Sequence, residues 1–241
     1  MAHYKRVLLK LSGESLAAGS KQGIDTTRLH DYASQIIEIS DMGVEVAIVV
    51  GGGNIFRGMA GSAEGLDRVS GDRMGMLATV INALAISAAI NAQCPAIQGT
   101  PRAVVMTSTP MEPYARYYDA LTARQLLAQG HIVFIAGGTG NPFFTTDSAS
   151  ALRGIELQAD IMLKGTRVDG IYTADPERDP SATKLSRLTY QEVYDRGLRI
   201  MDLTAMTLCQ ENHLPIIVFD MDTTGNLARV MRGEEIGSIV S

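Results

Sequence analysis

Ile132-Val133-Phe134-Ile135-Ala136, followed by Gly137-Gly138-Thr139-Gly140-Asn141-Pro142-Phe143-Phe144-Thr145-Thr146-Asp147, decides the fold class of this chain. An apolar run of strand length empties into a loop of glycines and hydroxyls, and Ser148 to Leu157 then reads as a helix. In an open α/β sheet such a strand end is where ligands bind. Loops there expose backbone N–H groups, and the next helix adds partial positive charge. The unit therefore predicts an anion, a phosphate, as its guest.

Working outward, the same unit appears twice upstream. Val7 to Leu11 reads as a buried strand ending at Ser12-Gly13, and Val44 to Val50 as a second ending at Gly51-Gly52-Gly53-Asn54. Between them Leu29, Tyr32, Ala33, Ile36, Ile37 and Ile39 recur at helical spacing from Thr27 to Met42, and Gly43 closes that helix. Gly75 to Ala92 is a third helical stretch. Further on, Ala103 to Met106 reads as a strand and Tyr114 to Gln129 as a helix closed by Gly130. Ile161 to Lys164 is a strand, and Asp169 to Pro176 a hairpin or extended loop. Thr189 to Arg196 and Asp202 to Glu211 are helices, with strands at Ile216 to Phe219 and Ile236 to Val240. The alternation predicts an α/β protein, a three-layer α/β/α sandwich with a mainly parallel central sheet. Asp175 to Lys184 is too short a linker to divide it, so a single domain over residues 1–241 is expected.

Composition narrows the function classes. Hydrophobic residues at 46% and charged residues at 20% fit an ordinary globular protein, and no apolar run suggests a bilayer span. The N-terminus lacks a secretory pattern, which predicts a cytoplasmic protein. A net charge of −5 without a basic stripe argues against nucleic-acid binding. Cys94 and Cys209 have no paired spacing and read as buried, inert thiols. His3, His30, His131 and His213 have no ligand spacing, so no protein metal site is expected. The methionines and Tyr114, Tyr117 and Tyr118 read as packing residues.

Neither G-x-x-x-x-G-K-[ST] nor G-x-G-x-x-G is present, so phosphates need another cradle. If the strands neighbour one another, the loops at Ser12-Gly13, Gly51 to Gly53 and Gly137 to Gly140 converge on one cleft, with Arg57 nearby as a planar phosphate donor. Lys10 sits in an otherwise apolar strand, and Lys164 repeats the pattern. Each either snorkels to water or grips a transferring phosphoryl group. Asp72 either caps a helix or accepts from a ribose, and Asp202 either caps a helix or orients a lysine.

These blocks together resemble the uridylate kinase branch of the amino-acid kinase superfamily over nearly the full length. The matching residues are Leu8 to Glu14, Gly51 to Gly58, Gly71-Asp72 with Met74 to Thr79, Gly138 to Asp147, Lys164 with Val168 to Gly170, and Thr173 to Pro176. The resemblance implies transfer of the γ-phosphoryl group of ATP to UMP, giving ADP and UDP, in pyrimidine nucleotide biosynthesis. It implies ATP contacts at Lys10, Leu11, Ser12, Gly13, Gly53, Arg57, Thr166, Tyr172 and Asp175. UMP contacts follow at Gly52, Asp72, Thr139, Gly140, Asn141, Pro142, Phe143, Phe144, Thr145 and Thr146. Lys10 and Lys164 are implied to neutralise phosphoryl oxygens, with Asp202 orienting them and Mg²⁺ travelling with ATP. A homohexamer, activation by GTP at the loop Ala18 to Gly23 and inhibition by UTP complete what the resemblance implies. Phosphoryl transfer asks for positioning and charge neutralisation and needs no general base when the acceptor is already an anion.

Overall fold

The computed structural model describes residues 2–20, 22–56, 65–176 and 178–241. At its centre is β1 (Arg6–Leu11), whose side chains alternate between two cores: Val7, Leu9 and Leu11 face one, and Leu8 the other. β2 (Glu45–Val50) and β6 (Ile161–Thr166) flank it in parallel. Beyond β2 come β5 (Ile132–Ala136), β3 (Ala103–Thr107) and the edge pair β4 (Arg116–Tyr117). Beyond β6 lie β10 (Ile216–Asp220), β11 (Ser238–Val240) and β9 (Arg187–Leu188). The order β4-β3-β5-β2-β1-β6-β10-β11-β9 is parallel except where β11 runs against β10. A separate ribbon joins β7 (Ile171–Tyr172) to β8 (Lys184–Leu185).

One face carries α1 (Gly13–Leu16), α2 (Thr26–Asp41), α3 (Arg68–Asn91) and α8 (Asn226–Met231). The other carries α4 (Ala120–Ala128), α5 (Thr146–Glu156), α6 (Tyr190–Asp195) and α7 (Leu203–Glu211). The three layers are those the alternation predicts. Caps fix where the helices begin: the side chains of Asp25, Asp67, Asp119 and Asp202 each accept an N–H from the first turn of α2, α3, α4 and α7. Gly43 and Gly130 follow α2 and α4 in left-handed conformations, φ 87° and 88°.

Several expectations shift. α3 starts at Arg68, capped by Asp67, seven residues before the expected Gly75, so Asp72 lies inside the helix and is not its cap. The helix expected from Tyr114 begins only at Ala120. The preceding residues form β4 and a Met111–Ala115 bridge, leaving Tyr114 and Tyr117 exposed at 75% and 56%. The Asp169 to Pro176 stretch contains β7, which pairs antiparallel with Lys184–Leu185, so it supplies one strand of a longer ribbon and not a hairpin of its own. Cys209 is buried and its thiol is pushed up to about 12, first by burial and then by the charge of Asp147, whereas Cys94 is only half-buried. α3 is long and apolar enough to cross a membrane, contrary to the reading of the apolar runs. Its inner face, however, packs on α2 and the sheet, as in the core helix of a soluble fold.

Candidate functional site

The strand order brings the carboxyl ends of β5, β2, β1 and β6 side by side, so the glycine loops after them meet. Their approach is close. A Cβ on Gly13 would run into the Gly51 carbonyl oxygen, and one on Gly52 would lie 2.8 Å from the Gly75 carbonyl oxygen, so only glycine lets these backbones touch. Below the contact, the wholly buried Asn54 and Asn82 exchange hydrogen bonds of 2.7 and 3.1 Å. Asn82 also donates to the Gly51 carbonyl at 2.7 Å, and Asn54 to the Gly23 carbonyl at 2.8 Å. This amide pair holds the second glycine loop to α3.

Lys10 and Lys164 are direct partners in the β1/β6 register, so their side chains leave the sheet on the same face. Both reach the first turn of α5. There Asp147 Oδ1 lies 3.0 Å from Lys10 Nζ, and Oδ2 lies 2.9 Å from Lys164 Nζ. Lys164 also donates to the Ile200 carbonyl at 2.6 Å. All three side chains are largely buried. Burial pushes the Asp147 carboxyl up, but the two ammonium groups outweigh it and hold the group below its ordinary value. For Lys164, burial and then the charge of Lys10 pull the ammonium below its ordinary value, against the support of Asp147 and the more distant Asp202. The cluster carries two positive charges and one negative, a net positive charge in a largely buried place where an anion would be strongly attracted.

The carboxylate that touches both lysines is thus Asp147, the last residue of the motif block, and not Asp202. Asp202 accepts the Thr145 hydroxyl and the Ser148 hydroxyl, the latter at 2.9 and 3.1 Å, and caps α7 through Ala205 N–H at 2.9 Å. It ties the start of α5 to the start of α7 and acts on Lys164 through its field alone. Asp147 shows in the sequence only as the helix-start acid following the Thr145 cap, a position where an acidic residue is ordinary.

Three cavities open at this end of the sheet; the lysines line two of them, and the other reaches Thr146, the neighbour of Asp147. A smaller one, 250 Å³, is lined by Gly52, Gly53, Arg68, Asp72, Met76, Thr79, Gly138, Phe144, Thr145 and Thr146. Thr139, Gly140, Asn141, Pro142 and Phe143 form the outer turn of the same loop and do not line it. Thr139 Oγ1 closes that turn on Asn141 at 3.2 Å. A larger one, 640 Å³, is lined by Lys164, Thr166, Tyr172, Asp175 and the segment Arg196 to Ile200, whose Arg196 and Arg199 carry no motif that marks them in the sequence. A third, 360 Å³, holds Lys10, Ser12, Lys164 and Thr166 and extends to Arg28 and Asp222. Lys164 and Thr166 belong to both of the last two, so they form one trough. The Leu11 side chain is core, leaving only its backbone toward the cleft, and Gly53 sits over Glu14. Arg57 lies outside the described residues. No group of three or more His, Cys, Asp or Glu gathers as a metal cage among the described residues.

The amino acid kinase family model matches residues 5–220. Across the whole chain and 99% of the relative, the sequence is 63% identical to the uridylate kinase of Parabacteroides distasonis; over 98% of its relative, it is 61% identical to that of Porphyromonas gingivalis. Among solved structures it matches the UMP kinase of Bacillus anthracis with a TM-score of 0.94 at 39% identity, covering 99% of this chain and 96% of that one. A lysine pair on adjacent strands, bridged by a helix-start carboxylate beside these cavities, therefore sits in a sheet whose order and sequence both have named kin: the chain belongs to the amino acid kinase family and, within it, to the uridylate kinases.

Proposed function

We infer that this protein transfers the γ-phosphoryl group of ATP to UMP, giving ADP and UDP, and so supplies pyrimidine nucleotide synthesis. The observation that carries the reading is the Lys10–Asp147–Lys164 cluster, whose lysines line the trough and whose Asp147 follows Thr146 in the wall of a smaller cavity. ATP lies along the trough, its base near Tyr172 and Asp175 and its phosphates passing Thr166 and Ser12 toward the lysines. UMP takes the smaller cavity, with Asp72 toward the ribose and the Thr139 to Thr146 loop over the base. A polar partner matched to the uracil carbonyl, which cytosine replaces by an amine, sets the base choice; Thr139 and Asn141, expected in that role, stand on the outer turn and outside the cavity wall.

The chemistry asks little of the protein beyond placement. The UMP phosphate is already an anion, so no side chain has to take a proton from it. Lys10 and Lys164 face the oxygens on which charge gathers as the phosphoryl group moves, and Asp147 keeps the two ammonium groups fixed between turnovers. Thr145 and Asp202 hold the first turn of α5, and with it Asp147. Among the described residues no donor set forms a dedicated cation cage, so Mg²⁺ is proposed to be held by the ATP phosphates and water. The whole chain, 1–241, acts as one such unit. Free Cys94 and Cys209 suit the reducing cytoplasm where both nucleotides are found.

A coupled assay for ADP release tests the reading. UMP is expected to give turnover, with kcat/KM exceeding that for CMP by on the order of 10³ or more, and aspartate, glutamate and carbamate none. Comparable constants for UMP and CMP would overturn it, as would silence with UMP from a folded protein.

The homohexamer expected from the resemblance has physical support on α3. Met74, Leu77 and Ile81 stand 41%, 50% and 50% exposed at helical spacing, an apolar stripe that a second copy would cover. Ile81→Asp is expected to shift the species seen by sedimentation velocity to a smaller assembly; an unchanged distribution would remove α3 from the interface. The proposed activation by GTP attaches to the Ala18 to Gly23 loop, which Asn54 anchors to the active cleft through Gly23; the proposed inhibition by UTP is given no place.

A further inference from the structure

Phe143 adopts φ 73°, a left-handed conformation that a bulky residue holds only when its surroundings impose it. Its ring is 66% exposed, so packing does not explain the conformation. Its backbone N–H does: it donates to Asp72 Oδ2 at 2.7 Å, joining the loop to a helix 71 residues earlier in the sequence. On the other side of that carboxylate stands Arg68, one turn back on α3. Its Nε lies 2.9 Å from each Asp72 oxygen, and its guanidinium carbon lies 5.7 Å from the centre of the Phe143 ring. Arg68 thus touches both halves of the junction, and its side chain is 42% exposed, so it is not there to fill a core.

An ordinary i,i+4 pair on a helix surface contributes little. This one differs in what it holds. The Asp72 side chain is only 13% exposed, lines the smaller cavity, and is the acceptor that fixes the loop. We propose that Arg68 is a positioning residue for the acceptor nucleotide: it aims the Asp72 carboxylate and, through it, sets the Phe144 to Thr146 side of the cavity before substrate arrives. The proposal rests on the assignment of UMP to that cavity. Preorganisation of this kind acts on binding and leaves the transfer step alone, because Arg68 contacts none of Lys10, Asp147 or Lys164.

Arg68→Ala is therefore expected to raise KM for UMP about tenfold while kcat and KM for ATP stay within about twofold, the pattern of lost ground-state positioning. Arg68→Lys keeps the charge without the planar fork and recovers part of the loss. In an Asp72→Asn background the further effect of Arg68→Ala disappears, because the residue acts through that carboxylate. A KM for UMP unchanged in Arg68→Ala overturns the proposal, and so does an effect that persists undiminished over Asp72→Asn, which would make Arg68 a direct substrate contact. Amide hydrogen exchange in peptides spanning residues 139–146 of the substrate-free protein reads the same junction without turnover. Faster exchange in Arg68→Ala supports the proposal and unchanged exchange overturns it. If the unsubstituted protein fails to phosphorylate UMP, the functional assignment falls and the exchange result alone decides whether Arg68 holds the loop.

Discussion

Lys164→Ala is expected to lower kcat by about 10³-fold, which corresponds to about 4 kcal/mol of barrier, while the protein still folds. The loss is large because Lys164 is one of two ammonium groups facing the transferring phosphoryl group, in a site where burial keeps water from screening it. Folding survives because Asp147 keeps Lys10 at 3.0 Å and is not left as an unpaired buried anion. Steady-state kinetics together with the thermal midpoint separate the two effects. A kcat within tenfold of the unsubstituted enzyme would mean that Lys164 does not face the reacting phosphate.

Asp147→Asn should do the reverse, damaging stability as well as rate. Removing the shared carboxylate leaves two lysines, 13% and 12% exposed, facing each other without a counter-charge. Breaking a buried pair in this way costs about 3 kcal/mol or more, read as a lower denaturation midpoint at neutral pH. The pH dependence carries a sign. Asp147 has a folded pKa below its ordinary 3.8, so its contribution to stability is present above that value and is lost as pH falls through the folded one. Lys164 titrates below 10.5 in the folded protein, so the alkaline limb of kcat should break before a free lysine would lose its proton. In Asp147→Asn that limb moves lower still, because the charge supporting the Lys164 ammonium is gone. A limb that stays in place would show that Lys164 does not control it.

Much of this arrangement is readable from the chain because strand and helix lengths here follow simple patterning. Ile132–Ala136 is a strand with the bounds its apolar run gives, and the lysines stand out because charge is rare in such runs. What escapes has physical reasons. Strands of two residues, such as Arg116–Tyr117 and Arg187–Leu188, have no period to detect, and their pairing is dictated by the sheet edge they meet. The first turns of α3 are hidden by Gly71 and Gly75, which weaken local helix preference, while Asp67 and the packing behind the helix override it. α8, a short helix begun at Gly225, carries no side-chain cap to announce it. In the site, the division of work between Asp147 and Asp202 is a matter of distances in space, since both are acids near a helix start. Arg68 looks like any surface arginine until the loop 71 residues away is folded against its partner.

The pairing of Lys10 with Lys164 across two neighbouring strands has a consequence for how such a chain can change over time. The spacing of the pair is set by the gap between hydrogen-bonded strands, about 4.8 Å, and not by any loop. Connections between strands can therefore lengthen, shorten or be exchanged, altering what the cleft admits, while the phosphoryl-handling charges stay in step. A single residue gained or lost within β1 or β6 is another matter: it would turn one lysine through the sheet to the opposite layer and leave a protein that keeps its architecture but has lost its chemistry.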